Sequence, residues 1–371
     1  MRVKLGDYIK EYSVKNKNNE DIPVYSVSNS LGFCKDYFGK EVASKNKTTY
    51  KIVPRGCFAY NPSRINVGSV DWQNEEERVI VSPLYNVFSV SPLLDQQYLL
   101  YYLKSNVTLS RIRAVASGSV RDNLKLSMLY EFPIDLISLE QQYDVVSTLN
   151  AVQKIIDLYQ KELSGLDELI RARFVEMFGD VGMGLFNYQT CKLGDVAKVG
   201  SSHRVFTTEF VESGIPFYRG TEIGELANGK KPINPYYISE EHYKRLAEDE
   251  TKPLIGDLLM PSICNKGQVW MVDSEEPFYY KDGRVLCISP NKEVFNSRFL
   301  QYFMREKTLV EYPKIGSGST FAEFKIFLLK DMDVLVPPLE LQNQFASFVE
   351  EIDKSRLLNN HSLLLLKSIT F

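Results

Sequence analysis

Histidine, cysteine and tryptophan are all scarce in this chain of 371 residues, which has three histidines, five cysteines and two tryptophans. The cysteines are odd in number and widely scattered, and no Cys-x-x-Cys pair or neighbouring histidine pair has the spacing of a zinc site. The sequence therefore predicts no metal site and no disulfide framework. We expect free, mostly buried thiols at Cys34, Cys57, Cys191, Cys264 and Cys287.

Long apolar segments are also missing. The longest aliphatic run is the four leucines at 363–366, whereas a transmembrane helix needs about 20 predominantly apolar residues. The opening residues Met-Arg-Val-Lys-Leu do not begin the apolar stretch of a secretory signal. We therefore expect a cytoplasmic protein.

Motifs that carry chemistry are equally few. No Walker-type phosphate loop marks a nucleotide site, and no serine or cysteine lies in a recognisable nucleophile elbow. The segment Asn-Pro-Tyr-Tyr at 234–237 is similar to the Asn-Pro-Pro-Tyr/Phe loop of amino-methyltransferases, but no glycine-rich loop for a methyl donor follows an early strand. The sequence thus predicts no catalytic residue, while a self-contained methyltransferase or nuclease stays open as an alternative.

What the sequence does contain is a duplication. Residues 99–154 align without a gap onto 299–354, Leu-Gly-Asp at 5–7 recurs at 193–195, and Ile-Pro-x-Tyr at 22–25 recurs at 215–218. A period this long exceeds the about 20 to 50 residues of a solenoid repeat, so each copy should be a domain with its own core. The identical pairs include Leu100/Leu300, Thr108/Thr308, Ser117/Ser317, Gly118/Gly318, Leu129/Leu329, Glu140/Glu340 and Gln142/Gln342.

The strongest periodic pattern follows the first copy, where apolar residues alternate at spacings of three and four, as on the a and d positions of a coiled coil. These seam residues are Leu149, Val152, Ile156, Tyr159, Leu163, Leu166 and Ile170. The seam recurs after the second copy at Val349, Ile352, Leu363 and Leu366, with Arg356 and Asn359 between them. Polar seam residues either fix register or mark a departure from the heptad. We expect two long helices that pair antiparallel and relate the copies by a pseudo-twofold axis.

The predicted fold is a duplicated α/β (α+β) chain: a domain at 1–138, a helix at 139–180, a second domain at 181–338 and a second helix at 339–371. Inside the domains, segments at 78–81, 85–90 and 284–289 predict strands, and 98–106 and 298–306 predict short amphipathic helices. A glycine at 179 stands where the first long helix should end.

Candidates for binding nucleic acid lie in three places, although the net charge of −3 argues against a simple polybasic binder. Between residues 40 and 64, six cations face one acid, which is either a phosphate-contacting surface or a solvated loop. Polar loops at 61–66 and 261–266 either read base edges or are plain turns. Glycine-serine segments near 118 and 318 either hold phosphate oxygens or only connect a helix to a strand. The candidate residues are Lys45, Lys47, Lys51, Asn61, Arg64, Asn66, Ser117, Ser119, Arg121, Arg219, Asn265, Lys266, Arg284, Ser317, Ser319 and Thr320.

The duplicated layout and three short motifs carry a likeness to a known family. The motifs are the Leu-Gly-Asp segments, the Leu-Glu-x-Gln starts of the helices at 139–142 and 339–342, and the Arg-Phe-Val-Glu-Met-Phe-Gly-Asp closure at 173–180. Together they resemble the specificity subunit of type I restriction-modification systems. The resemblance covers essentially the whole chain. Ile-Ser at 137–138 replaces the Pro-Pro pair found at 337–338, and the second helix is short. These departures concern the helix entry and the coil length.

The resemblance implies two globular target-recognition domains, each reading one half of a split double-stranded DNA sequence and separated by the antiparallel two-helix coiled coil. It implies that the coil sets the unread spacer and docks two methylation subunits, which bring S-adenosylmethionine. Restriction subunits would bring the ATP- and Mg-dependent motor and nuclease. The chain itself would be non-catalytic and bind no cofactor or metal. The alternative of another class is a coiled-coil scaffold that binds no DNA.

Overall fold

The computed structural model of the protein describes residues 1–35, 46–116, 123–248, 251–315 and 322–370. Its internal contacts divide the chain into two compact units, one formed by residues 1–161 and 359–371 and the other by residues 162–358. Both boundaries fall inside long helices. Each long helix therefore contributes one segment to each unit.

In its described residues, the first unit contains short strands, helices that include the end of the second long helix, and 3₁₀ turns at Leu5–Asp7 and Ile65–Val67. Its strands are β1 (Arg2–Lys4), β2 (Ile9–Glu11), β3 (Ser26–Ser28), β4 (Gly32–Cys34), β5 (Lys51–Pro54), β6 (Phe58–Tyr60), β7 (Val70–Trp72), β8 (Arg78–Val81), β9 (Asn86–Val90) and β10 (Pro133–Asp135). Its helices, as far as the chain is described, are α1 (Gln96–Lys104), α2 (Asn106–Ala116), α3 (Leu126–Tyr130) and the first part of α4 (Leu139–Phe178).

The second unit begins with the last part of α4, from residue 162, and has a 3₁₀ turn at Thr207–Glu209. Its strands are β11 (Gly179–Asp180), β12 (Leu185–Phe186), β13 (Thr190–Lys192), β14 (Ala197–Gly200), β15 (Phe210–Val211), β16 (Ile215–Tyr218), β17 (Tyr236–Ile238), β18 (Leu258–Pro261), β19 (Trp270–Met271), β20 (Tyr279–Tyr280), β21 (Val285–Pro290) and β22 (Asp333–Leu335). Its helices are α5 (Leu193–Val196), α6 (Gly220–Ala227), α7 (Glu240–Leu246), α8 (Ser297–Ile315), α9 (Ile326–Lys330) and the first part of α10 (Leu339–Thr370).

Both units are built on the same antiparallel framework. A four-stranded sheet has the order β2-β9-β6-β7 in the first unit and β14-β21-β18-β19 in the second, and the pair β1-β10 corresponds to β13-β22. The registers also correspond, since Lys10 faces Ser89 and Lys198 faces Ser289. The duplication predicted from the sequence is confirmed at the level of strand order and pairing.

The Leu-Gly-Asp segments follow a strand in each unit and form a helical turn, so they do not begin strands. The leucine is fully buried in both copies, and its backbone N–H donates to the carbonyl of Phe132 or Met332 at 2.8 and 2.9 Å. A Cβ on Gly6 would lie 2.7 Å from the Tyr130 Cβ, and one on Gly194 would lie 3.0 Å from the Lys330 Cβ. Glycine is needed here because the turn packs directly against the short helix α3 or α9.

A buried glutamine fastens the start of each long helix to its unit. The Gln142 amide donates to the carbonyls of Leu93 and Ile137 and accepts from the Asp95 N–H. The Gln342 amide makes the same three hydrogen bonds, to Val294, Pro337 and Asn296, at 2.8–2.9 Å. Both side chains are fully buried. A buried polar group that loses its hydrogen-bond partner costs about 1–3 kcal/mol of stability. The glutamine of Leu-Glu-x-Gln, which satisfies three backbone groups, is therefore a structural requirement.

The long helices α4 and α10 run antiparallel within the second unit. The Phe174 and Phe345 ring centroids lie 5.4 Å apart, while further along α10 the Arg356 guanidinium donates to the Asp167 carboxylate at 2.5 Å. The helix α4 ends where the sequence indicates, because Gly179 has a φ of 97°. Along α4, Ile156 and Ile170 are buried, and Leu149, Val152, Tyr159, Leu163 and Leu166 are half-buried. Along α10, Val349 and Leu363 are buried, and Ile352 and Leu366 are half-buried.

The two units differ in what surrounds this shared framework. Around the common Ile-Pro-x-Tyr segment, the first unit forms the hairpin β3-β4, whereas the second forms α6 and a further sheet of order β15-β17-β16-β20, in which the segment itself is β16. The helix predicted at 98–106 is broken at Ser105 into α1 and α2, but its counterpart α8 continues to Ile315. Local sequence differences therefore change the periphery while the pairing of the central strands is kept.

Candidate nucleic-acid interface

Each unit carries one loop at the same point of the repeat, directly after a buried central strand. We call residues 61–68, after β6, the first loop, and residues 261–268, at the end of β18, the second loop. The Leu124 N–H donates to the Pro62 carbonyl at 3.0 Å, and the Phe324 N–H donates to the Ser262 carbonyl at 2.8 Å. The same backbone contact thus fixes both loops, although their sequences differ.

The first loop is a hydrogen-bonded turn that holds one exposed arginine. The Asn61 carboxamide oxygen accepts from the Ser63 N–H at 3.1 Å and from the Ser63 hydroxyl at 2.9 Å, so Asn61 stabilises the turn. A 3₁₀ turn follows and ends at Gly68 with a φ of 89°. The Arg64 side chain is exposed and makes no hydrogen bond or ion pair with the residues that the structure describes. Its five N–H donors are available to a ligand.

A second arginine supports the first loop from α2. The Arg113 Nε donates to the Asn66 carbonyl at 3.2 Å, and the Arg113 side chain is exposed. Asn66 is half-buried beside it. Arg113 is not among the residues that the sequence singles out, because its contact with the loop depends on how α2 packs. Two guanidinium groups, of Arg64 and Arg113, therefore flank one loop.

The second loop is held by different bonds and exposes different side chains. The buried Cys264 thiol donates to the Gln268 carbonyl at 3.4 Å, and the Gln268 carboxamide accepts from the Lys266 N–H at 3.0 Å. Gly267 has a φ of 64°, and a Cβ there would lie 2.8 Å from the Arg305 carbonyl oxygen. Asn265 and Lys266 are exposed at the tip. The loop presents an amide and an ammonium where the first loop presents a guanidinium.

Helix α6 lies along the second loop. A Cβ on Gly220 would lie 3.1 Å from the Pro261 Cβ and 3.8 Å from the Arg284 carbonyl oxygen, and a Cβ on Gly224 would lie 3.8 Å from the Gln268 Cγ. Gly220 allows this close approach to Pro261, while Gly224 lies at ordinary van der Waals distance from Gln268. Arg219, Arg284 and Lys266, which are far apart in the sequence, are thus brought to one region of the second unit.

Two of these arginines are already paired inside the unit. The Arg219 guanidinium donates to the Glu222 carboxylate at 2.6 Å and lies 4.5 Å from the centroid of the Tyr236 ring. Burial opposes ionisation of Glu222, but the hydrogen bonds from Arg219 outweigh it, and the pKa of Glu222 is lowered. Arg284 pairs with Glu323, whose pKa is lowered by a hydrogen bond from Lys325 and by Arg284. Both arginines keep a partly exposed edge, since 41% and 60% of their side chains are accessible.

The lysines of the segment 40–64 are placed differently from the loops. The Lys51 ammonium donates to the Tyr85 carbonyl at 2.6 Å, and burial lowers the pKa of Lys51. The Lys47 ammonium lies 3.9 Å from the Asp21 carboxylate. Lys51 therefore serves the first unit's own structure. The remaining candidates, Lys45, Ser117, Ser119, Arg121, Ser317, Ser319 and Thr320, lie outside the described residues.

Other kinds of site find no support in the described part of the chain. None of the described residues form a group of three or more His, Cys, Asp or Glu side chains suited to a metal ion. Within the same residues, no helix combines the length and the apolarity needed to cross a membrane. The cysteines described there are all free thiols.

Comparison with known proteins gives concordant matches. A family model described as the type I restriction modification DNA specificity domain matches residues 3–168 and again residues 187–367. The type I restriction enzyme MjaIX specificity subunit of Methanocaldococcus jannaschii is 22% identical over 293 residues, which are 74% of this chain and 66% of that protein. The chain thus spans just under two thirds of that relative's length.

Two solved structures have the same fold across the whole chain. The first is a chain from a study named "Structural basis underlying complex assembly and conformational transition of the type I R-M system", with a TM-score of 0.63, 16% identity and coverage of 100% of this chain and 95% of that chain. The second is the type I restriction-modification system S subunit from M. genitalium, with a TM-score of 0.53, 15% identity and coverage of 100% and 93%. At these identities the likeness concerns the fold alone.

Proposed function

Because the chain belongs to the family of type I restriction modification DNA specificity domains, which it matches twice, we propose that it is the DNA specificity subunit of a type I restriction-modification complex. Each unit reads one half of a bipartite target in duplex DNA. The observation that carries this proposal is the pair of equivalent loops, fixed by the same backbone hydrogen bond but exposing different side chains. Different donors on one scaffold suit two different half-sites.

The chemistry of the loops fits a division between reading bases and gripping the backbone. Arg64 in the first loop can donate two hydrogen bonds to a guanine edge, and Asn265 in the second loop can pair bidentately with adenine. Arg113 and Lys266 are placed beside them to neutralise phosphates. The exposed edges of Arg219 and Arg284 extend this surface, with Asn61 and Asn66 supporting the first loop. Within the proposal, Lys47 and Lys51 contribute least directly to DNA binding, because both already contact groups of the first unit.

The glycine-serine segments are assigned to phosphate in the same proposal. Ser117, Ser119, Arg121, Ser317, Ser319 and Thr320 precede Leu124 and Phe324, the two residues whose N–H groups fix the loops. Hydroxyls and consecutive backbone N–H groups are suited to phosphate oxygens. Phosphate contacts position a protein on DNA, while the loops supply the sequence information.

The long helices are assigned to spacing and assembly. Apolar side chains outside the seam are exposed on both: Ile155, Leu158 and Leu169 on α4, and Leu357, Leu358, Leu364 and Leu365 on α10. Such side chains suit docking of partner helices. We assign them to two methylation subunits that carry S-adenosylmethionine, with restriction subunits carrying ATP and Mg joining that complex. The helix pair sets the unread spacer, the chain adds no catalytic group, and the complex works in the cytoplasm.

The proposal predicts a split methylation motif. We expect co-expression of this chain with its methylation subunit, in a host that lacks DNA methylation, to modify adenines within one bipartite sequence. Long-read sequencing of the host genome checks this and gives both half-sites and the spacer. Each protein expressed alone is the control and should leave the genome unmodified. A soluble, associated pair that modifies nothing would favour the scaffold instead.

Removing one loop arginine should relax one position of the target. We expect Arg64→Ala to weaken discrimination at one base pair of a single half-site by about 1–3 kcal/mol, roughly 5- to 150-fold, since a bidentate base contact is lost. The readout is methylation frequency at near-target sequences that differ at one base. Arg78→Ala is the matched control, because the exposed Arg78 pairs with Glu20 at 2.8 Å. Equal relaxation in both half-sites would contradict the assignment.

A further inference from the structure

We propose that residues 228–235 of the second unit form a DNA-binding arm, in which Lys230 and Lys231 bind backbone phosphates and Ile233 contacts base edges in the major groove. This inference rests on the proposed function and adds a contact region that neither loop contains. The segment reads Asn-Gly-Lys-Lys-Pro-Ile-Asn-Pro, and Glu225 and Glu240 are the nearest acids on either side. The arm therefore carries two lysines and no acidic residue of its own.

The arm projects its side chains into solvent. Lys230, Lys231, Ile233 and Asn234 are all exposed, and 86% of Ile233 is accessible. A single exposed isoleucine is common on protein surfaces. Its position is what makes it informative, since it lies between Pro232 and Pro235 and two residues after Lys231. Proline fixes φ, so the isoleucine is presented at low conformational cost.

Both ends of the arm are anchored. At the start, the Lys230 N–H donates to the Glu225 carbonyl at 2.9 Å and the Asn228 carboxamide donates to the Gly224 carbonyl at 2.6 Å. At the end, the Tyr236 ring stacks on Phe210 with centroids 4.7 Å apart. The Arg219 guanidinium carbon also lies 4.5 Å from the Tyr236 ring centroid. An arm held in this way loses little entropy when it binds.

Helix α6 connects the arm to the second loop. Gly224 approaches Gln268 of that loop, and the arm begins four residues later at Asn228. At 1.5 Å per residue this is an axial distance of about 6 Å. A major groove about 12 Å wide can receive a rigid loop beside a neighbouring contact region. The arm is thus close enough to the second loop to touch base pairs in or next to the same half-site.

The chemistry of the three side chains predicts separate signatures. Two lysines on phosphates should each contribute about 0.9 to the slope of log affinity against log salt, regardless of sequence. An isoleucine against a base edge should instead respond to the C5 methyl group of a thymine, the apolar feature of the major groove. A partner protein on the arm would produce neither signature.

The test uses the full chain with its methylation subunit and duplexes that carry the mapped target. We expect Lys230→Ala combined with Lys231→Ala to reduce the salt slope by about 2 and to weaken binding to target and non-target duplexes alike. The matched control combines Lys154→Ala with Lys292→Ala, since both of these lysines are exposed and lie elsewhere. A double variant with the wild-type slope would overturn the phosphate role.

Thymine methyl groups test Ile233. Deoxyuridine is placed at each thymine in and beside the half-site of the second unit, and we expect one such change to weaken wild-type binding severalfold. Ile233→Ser should weaken binding similarly and become insensitive to that change, whereas Leu185→Ser, at an exposed leucine, should retain the sensitivity. Sensitivity retained in Ile233→Ser would refute the base contact.

The two proposals fail in distinguishable ways. In one outcome, the wild-type complex binds the target and both arm variants behave as their controls. That result would refute the proposed arm and leave the DNA specificity role unaffected. If the wild-type complex binds no duplex preferentially, both the proposed arm and the DNA specificity role are refuted. Loss of methylation-subunit association in the arm variants, with an unchanged salt slope, would reassign the arm to a protein contact and overturn the proposal.

Discussion

Replacing residues 1–138 with the corresponding domain of a relative that has a different target is expected to change one half of the methylated sequence completely and to leave the other half unaltered. The physical reason is that each unit builds its own sheet, core and loop. The first core surrounds β2, β6 and β9, and the second surrounds β14, β18 and β21. We therefore expect base contacts made by one loop to be independent of the other loop.

The junction chosen for this exchange is tolerant for a reason that the structure supplies. Gln142 lies beyond residue 138, and its three partners, on Asp95, Leu93 and Ile137, are all backbone groups. A foreign domain with the same backbone can satisfy that glutamine whatever its side chains are. The hybrid should consequently fold and bind its methylation subunit.

Mapping methylated adenines in cells that carry the hybrid checks the result. The reciprocal replacement of residues 181–338 is the matched control and should change only the other half-site. A hybrid that altered both halves, or neither while remaining active, would contradict independent reading by the two units.

Phe174→Ala should destabilise the second unit by about 3–5 kcal/mol, the cost of a large cavity in a packed core. Phe174 is 1% exposed, and its ring contacts Phe178, Phe299, Tyr302 and Phe345 with centroids 5.0–5.8 Å apart. The substitution removes one of the two aromatic residues, with Phe178, through which α4 contacts both α8 and α10. A loss of this size is comparable with the total stability of many domains.

Denaturant unfolding of the full chain, together with hydrogen exchange of the amides at 162–178, measures the effect. Val175→Ala is the matched control, since Val175 is the next residue on the same helix and is 37% exposed. It should change stability by less than about 1 kcal/mol. Similar unfolding of the two variants would show that the aromatic cluster does not stabilise the unit.

The sequence predicted those features that depend on contacts between residues close together in the chain or repeated along it. The end of α4 followed from Gly179, and the seam from alternating apolar spacings. The strands at 78–81, 85–90 and 284–289 followed from β-branched runs and are found at Arg78–Val81, Asn86–Val90 and Val285–Pro290. The equivalence of the first and second loops followed from the alignment of the two copies.

Contacts between distant segments were beyond sequence reasoning. Nothing in the local sequence indicates that the Arg219 guanidinium lies 4.5 Å from the Tyr236 ring centroid, or that Arg113 reaches the Asn66 carbonyl. The break at Ser105 between α1 and α2 also has no counterpart in α8. Side chains of this kind have partners set by packing, and packing joins residues that are tens of positions apart.

By itself the sequence determined that this protein is a duplication, that each copy is followed by a long helix, and that the two copies present different loops at one equivalent place. These features follow from the periodicity and internal repetition of the sequence, which can be recognised without three-dimensional information. Only the tertiary structure decided which candidate cations remain unpaired, because Arg64 has no partner among the described residues while Arg219, Arg284 and Lys51 bond within their own units. Charge is a property of a residue, but its availability depends on the neighbours that folding provides.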